Sequence, residues 1–275
     1  MLKVILLGLA AVVVAAAGIV LVAHLRLSAD ISADVETLRA SATPSPSAPV
    51  TEAMLAALPA PAQRYFRFAG VVGRPVPSIV SLTQRGRIRS STQTNWMEFE
   101  AEETYSVSPP AFVWRAWFPN RATPMVMGRD EYLGGSGSIL MKMLGLLPIA
   151  DEHGDEMRAA GLMRFLNEAT WFPAALLLPN VTISPVDDSS FKVVMTDRGL
   201  TAEAVLFVDA EGRMTNFRAR RFNTGSRSVE TWETPITDYA DFAGMQLPRT
   251  GSAVWKLPSG DLDYIELTVS SVTYE

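Results

Sequence analysis

The stretch WMEFEAEETYSV, residues 96–107, alternates with a period of two. Met97, Phe99, Ala101, Glu103 and Tyr105 fall on one side, and Glu98, Glu100 and Glu102 on the other. A strand with one dry and one wet face is written this way, and such strands belong to antiparallel sheets. The preceding SIVSLTQRGRIR (78–89) sets Val80, Leu82 and Gln84 against Ile79, Ser81 and Thr83. FVWRAWF (112–118), PMVMGRDEYL (124–133) and GSILMKMLG (137–145) continue the pattern, and GGSGS (134–138) reads as a hairpin turn.

Residues 156–177 then change to a helical period, after which strands resume. FKVVMTD, TAEAVLFVDA, RMTNFRAR, VETWETP, QLPRTGSAVWKL and DYIELTVSSVTY follow, with a glycine turn in DAEGR (209–213). This predicts an α+β fold with a curled antiparallel sheet, a half-barrel of about ten strands, whose concave face is plugged by helices. The single β-rich domain is expected over residues 51–275, with its helical insert at about 155–178. Thr51 opens a short helix, and a second over residues 62–68 ends at Gly70.

Ahead of this domain, residues 4–25 are apolar except for His24, and at 1.5 Å per residue they extend roughly 33 Å, enough to cross a bilayer. A secretory signal has a shorter core of about 7–15 residues, so an uncleaved transmembrane anchor over residues 1–27 is the favoured reading, and a cleaved signal the alternative. Lys3 flanks one side, and Arg26 and Arg39 the other. Counting positive charges nearly ties, with the lean toward a single-pass inner-membrane protein whose domain is extracytoplasmic. Residues 28–50 read as a linker, starting with a short polar helix (28–40) and continuing as the Pro/Ser/Ala tether SATPSPSAP (41–49).

Composition excludes several function classes. The 275 residues carry a net charge of −5 and no basic run, so nucleic acid is not an expected partner. There is no cysteine and there are only two histidines, His24 and His153, leaving little for thiolate chemistry or a metal centre; no cofactor or metal is expected. The acidic run ADEHGDE (150–156) lacks the spacing of a calcium loop and reads as a solvated loop before a helix.

The helical insert carries the most pointed residues. In LMRFLNEATWFPAALL (162–177), Leu162, Phe165, Leu166 and Ala169 share one arc, and Arg164 and Glu168 lie together opposite. An exposed pair of this spacing contributes roughly 0.2–0.5 kcal/mol, whereas a buried one can hold an anion or a proton. Trp171-Phe172-Pro173 ends the helix, since proline disfavours helical geometry in the residue before it. Met125 and Met127 share one strand face, as do Met141 and Met143, and flexible thioethers suit either an ordinary core or varied apolar ligands. Trp114 and Trp117 have opposite parity and should face opposite sides. The cavity-lining candidates are therefore Trp114, Met125, Met127, Met141, Met143, Arg164, Glu168, Trp171 and Phe172.

The blocks LPAPAQRYFRFAG, GRDEYLGGSGSILMKMLGLLPIAD, LMRFLNEATWFPAALL, YADFAGMQLP and VWKLPSGDLDYIELTVSSVTY resemble a family of uncharacterised, mostly bacterial proteins. Its central block runs R-[YW]-L-x-E-x-x-W-[FY]-P-x-A-L-L, with Phe165 here in the Tyr/Trp position. More loosely, the strand order and the ending resemble bacterial lipoprotein-carrier half-barrels, whose fold implies helices plugging an apolar cavity. Three functions follow as expectations. The first is a membrane-anchored envelope protein that binds a lipid or other hydrophobic molecule without catalysis. The second is an envelope interaction module with a closed core and a protein partner, and the third a hydrolase-like enzyme using Glu168 with Arg164 or Asp130.

Overall fold

The computed structural model describes residues 1–44 and 48–275, so the centre of the 41–49 tether lies outside the described residues. The first element is α1 (Leu2–Ser41), followed by α2 (Glu52–Ala56), capped by the Thr51 hydroxyl, and α3 (Ala60–Ala69), which ends at Gly70 in the left-handed conformation. Six strands follow: β1 (Ile79–Ile88), β2 (Met97–Ser106), β3 (Ala111–Phe118), β4 (Val126–Leu133), β5 (Ser136–Met143) and β6 (Leu147–His153). The insert comprises α4 (Asp155–Glu168) and two 3₁₀ turns, Ala169–Trp171 and Pro173–Leu177. Eight strands complete the chain: β7 (Val181–Asp187), β8 (Ser190–Asp197), β9 (Leu200–Val208), β10 (Met214–Asn223), β11 (Ser228–Glu233), β12 (Ile236–Phe242), β13 (Met245–Leu257) and β14 (Gly260–Tyr274).

All pairings are antiparallel, and the sheet order is β6-β5-β4-β3-β2-β1-β14-β13-β11-β10-β9-β8-β7, with β12 paired to β13 beside this path. Two meanders thus meet at a central seam where the first strand pairs with the last. The insert leaves one edge strand, β6, and returns at the other, β7. A connection between opposite edges must cross a face of a curled sheet, so the helices lie in the concavity. There Leu162, Phe165 and Leu166 join Tyr105, Phe112, Phe191 and Phe217 in one continuous core.

The count of about ten strands is corrected to fourteen among the described residues. The strands not anticipated are β6, β7 and β12: two edges and one that pairs on one side only. β6 and β7 bury no residue fully, so nothing enforces an alternating pattern there. β6 also absorbs the first part of the acidic run read as a loop.

Residues 28–41, read as the start of a linker, continue α1 without a break and dock on the convex face. Leu27, Ile31 and Leu38 are buried against Val113, Trp117 and Met127, each such side chain contributing about 1.5–3 kcal/mol. Polar contacts fix the docking: Asp34 with Arg129 at 3.2 Å, Arg39 with Glu275 at 2.9 Å, and Arg115 donating to the Ser32 hydroxyl at 2.7 Å. The part of α1 before Leu27 is long and apolar enough to cross a membrane, and its most apolar window is unburied by the rest of the chain.

Candidate functional site

Between the insert and the concave face lies a cavity of about 790 Å³, within the range of small-molecule sites. Its lining includes the aromatic side chains of Trp114, Trp171, Trp232, Trp255 and Tyr264. The indoles are held in place by polar contacts, Trp171 Nε1 donating to the Pro248 carbonyl at 3.0 Å and Trp232 Nε1 to the Tyr264 hydroxyl at 3.2 Å. Trp255 lies against Trp232 and stacks on Tyr264, with centroids 6.2 and 5.8 Å apart.

One wall is charged. Arg164, on the turn of α4 that faces the sheet, donates from Nε to Glu168 at 2.8 Å, from one terminal nitrogen to Asp130 at 2.5 Å and from the other to Glu103 at 2.9 Å. Its guanidinium lies over the Phe112 ring at 4.8 Å and the Trp114 ring at 5.2 Å. Glu103 also accepts from the Gln84 amide at 3.1 Å, and the Gln84 carbonyl accepts from Trp114 Nε1 at 3.1 Å. The second oxygen of Glu168 accepts from the Tyr105 hydroxyl at 3.2 Å. Every member therefore has a partner, as a buried network requires.

The charge count is uneven: one guanidinium faces three carboxylates, with the Glu103 side chain fully enclosed. Burial, then repulsion from Glu168, pushes Glu103 well above the usual carboxylate range, with Arg164 pulling the other way. Burial also raises Glu168, against the attraction of Arg164. For Arg164 itself, burial works against the charge, but Glu168, Glu103 and Asp130 together outweigh it and hold the guanidinium protonated.

A second guanidinium lies in the cavity wall. Arg221 packs over Trp232 at 4.8 Å and Trp255 at 5.8 Å, and its Nε donates to the Ala160 carbonyl at 3.2 Å.

Of the nine sequence candidates, Trp114, Met141, Arg164, Glu168 and Trp171 line this cavity. The others lie elsewhere, for reasons of register. Val126 pairs with Met143 and Gly128 with Met141, which puts Met127 on the opposite, convex face, buried against α1. Met125 and Met143 are exposed at strand ends. Phe172 sits in the core, 4.8 Å from the Tyr105 ring and 5.6 Å from Phe165, and lines a separate cavity of about 280 Å³. The Arg164–Glu168 pair is the buried alternative, with side chains only 14% and 8% exposed. Trp117 turns to the convex side, opposite Trp114.

Glu103, Gln84 and Arg221 were not among the candidates. Glu103 had a visible signal, a carboxylate on the dry side of its strand between Ala101 and Tyr105. Gln84 shares the dry side of β1 with Val80 and Leu82. Arg221 and its two tryptophans come from strands that only the curl of the sheet brings to the insert.

The profile of a family described as a family of unknown function, DUF6544, matches residues 48–267. No curated protein matches the chain. Among solved structures, a LolA superfamily protein of Nitrosomonas europaea is similar at 10% identity, covering 83% of this chain and 94% of its own, with a TM-score of 0.46. A domain named for outer membrane lipoprotein sorting from Vibrio parahaemolyticus is 9% identical over 72% of this chain and 86% of its own, with a TM-score of 0.40. A DUF1329 family protein of Desulfovibrio piger is 9% identical over 83% of this chain and 94% of its own, with a TM-score of 0.42.

Proposed function

The chain belongs to a family of unknown function, DUF6544, so its role has to be read from the site, and we propose that it is a membrane-anchored envelope protein that holds a lipid or another hydrophobic molecule in its cavity. The observation that carries this is the cavity of about 790 Å³, with four tryptophans in its lining, between the insert and the concave face. An interaction module with a closed core has no use for such a space. The α1 span supplies the anchor, with the domain on the extracytoplasmic side of the inner membrane.

The charged wall supports binding over catalysis. Glu168 is clamped at both oxygens, one accepting from Arg164 and the other from Tyr105, so the carboxylate is fixed as part of the wall. Tied down in this way, the group orients a ligand's polar end and keeps the cavity open, because charges at its surface oppose collapse of the wall.

The test is native mass spectrometry of the full chain, released from detergent after gentle extraction from its host membrane. A reproducible adduct of lipid size, lost in Met141→Trp, supports the reading. A bare polypeptide mass, under conditions that retain lipid on a control carrier, refutes it in favour of the interaction module.

A further inference from the structure

Outside α1, nine large apolar side chains are exposed among the described residues, and five of them gather at one place: Met125, Met143, Leu146, Leu147 and Ile149. They sit on the β3–β4 and β5–β6 turns, which are stitched together by the Leu144 amide donating to the Met125 carbonyl at 2.8 Å. Leu147 is 63% exposed and Met125 58%, so the patch is not the edge of the core. Contiguous apolar surface of this kind marks a place where something else docks.

The position of α1 says what that is. Gly145, at the tip of the β5–β6 turn, is pressed so closely on α1 that an added Cβ would lie 2.8 Å from the His24 amide and 2.9 Å from the Ala23 carbonyl carbon. From that contact the helix runs up the convex face, through Leu27 and Ile31, to the Arg39–Glu275 pair at the far end of the strands. The apolar patch therefore lies level with residues 23–24, where the apolar span of α1 ends. Strand register places the β1–β2 turn at the same end, since Ile88 pairs with Met97 there. That turn presents Trp96 with the guanidinium groups of Arg87, itself paired with Glu266, and Arg89 over its ring at 4.7 and 4.4 Å, a grouping suited to a membrane interface.

We propose that this rim of the half-barrel rests on the bilayer, with the β3–β4 and β5–β6 turns dipped into the leaflet from which α1 emerges. The proposal rests on reading α1 as a bilayer anchor. Ile149 belongs both to the exposed patch and to the cavity lining, so the docked rim joins the cavity to the membrane. The ligand then enters sideways from the leaflet as a membrane lipid and does not cross water.

The chain has no cysteine, so each introduced thiol is unique. Full-length Leu147→Cys, Val14→Cys and Val186→Cys are labelled with an environment-sensitive fluorophore and reconstituted into vesicles of phosphatidylcholine and phosphatidylglycerol, with and without spin-labelled lipid. Leu147 and Val186 are exposed and Val14 lies in the apolar span, so none of the three changes opens the core. The expected result is blue-shifted emission quenched by spin-labelled lipid at Leu147 and Val14, with neither effect at Val186. Quenching at Val14 but not at Leu147 overturns the docking and leaves the anchor standing. A blue shift at Leu147 without lipid quenching also overturns it, since a second copy of the chain then covers the patch. Absence of quenching at Val14 overturns the anchor and the docking with it.

Discussion

Replacing Arg164 with methionine tests the charged wall most directly. Methionine keeps much of the side-chain bulk and the contact with Phe112 and Trp114, but removes three charge-assisted hydrogen bonds, to Glu168, Asp130 and Glu103. Breaking a buried ion pair from one side typically costs about 3–5 kcal/mol, because the partner charge stays behind. In a domain of this size each kcal/mol moves the midpoint by about 2–4 °C, so Tm should fall by roughly 6–20 °C. The loss should also depend on pH in a fixed direction. Without Arg164, the largest influence opposing the burial that raises Glu103 and Glu168 is gone, so their folded-state pKa values rise further above those of the unfolded chain. A carboxylate raised on folding stabilises fully below its unfolded pKa and loses that contribution as pH climbs toward the folded value. The defect of Arg164→Met should therefore be small at pH 5 and large at pH 8. The assay is near-UV circular dichroism melting of the full chain in detergent at both values. A defect equal at the two pH values, or larger in acid, refutes the reasoning.

Glu103→Gln replaces an acid whose proton affinity burial raises with its neutral isostere, so stability should decline less steeply between pH 5 and 8 than in the parent, whose slope is bounded at about 1.4 kcal/mol per pH unit for one proton; an unchanged slope in pH-dependent melting would point to another group. Gly137→Ala sets a methyl group 2.0 Å from the Met157 carbonyl oxygen, a backbone contact that cannot swing aside, and should cost about 1–3 kcal/mol or more in denaturant unfolding. Ile31→Ala should lose about 2–5 kcal/mol of the docking of α1, seen as faster protease cleavage within residues 28–41 while the sheet stays intact. Met141→Trp should fill the cavity and abolish lipid retention with a near-parental Tm; retained lipid would place the ligand elsewhere.

Much of this architecture is legible in the sequence because water enforces it. β2 has one covered face and its residues alternate accordingly, while β3, covered on both faces by the core and α1, reads as a nearly continuous apolar run. Edge strands such as β6 and β7 feel no such demand and leave no pattern. The reach of α1 was hidden differently: Leu27, Ile31, Val35 and Leu38 form a helical stripe in a polar stretch, but a stripe does not name the surface it meets. In the site, the helical spacing of Arg164 and Glu168 was readable, because it is local. Their partners Glu103 and Asp130 lie 61 and 34 residues away from Arg164, and only strand parity hinted at them. The methionines misled because parity was assigned within each strand, whereas which face is concave depends on the register between strands.

The seam between β1 and β14 has a consequence for how the protein is made. Val80 pairs with Tyr274, so the two strands at the centre of the sheet emerge from the ribosome about 190 residues apart. Closing a loop that long costs only modestly more entropy than closing a short one, but the search for it is slow. Until the final strand is synthesised, β1 offers a bare hydrogen-bonding edge, and the second meander has no neighbour at β13. Such edges invite pairing with other chains. A nascent molecule stalled before residue 260 is therefore two half-sheets, each with its inner edge unprotected, and chaperone dependence should peak in that interval of synthesis.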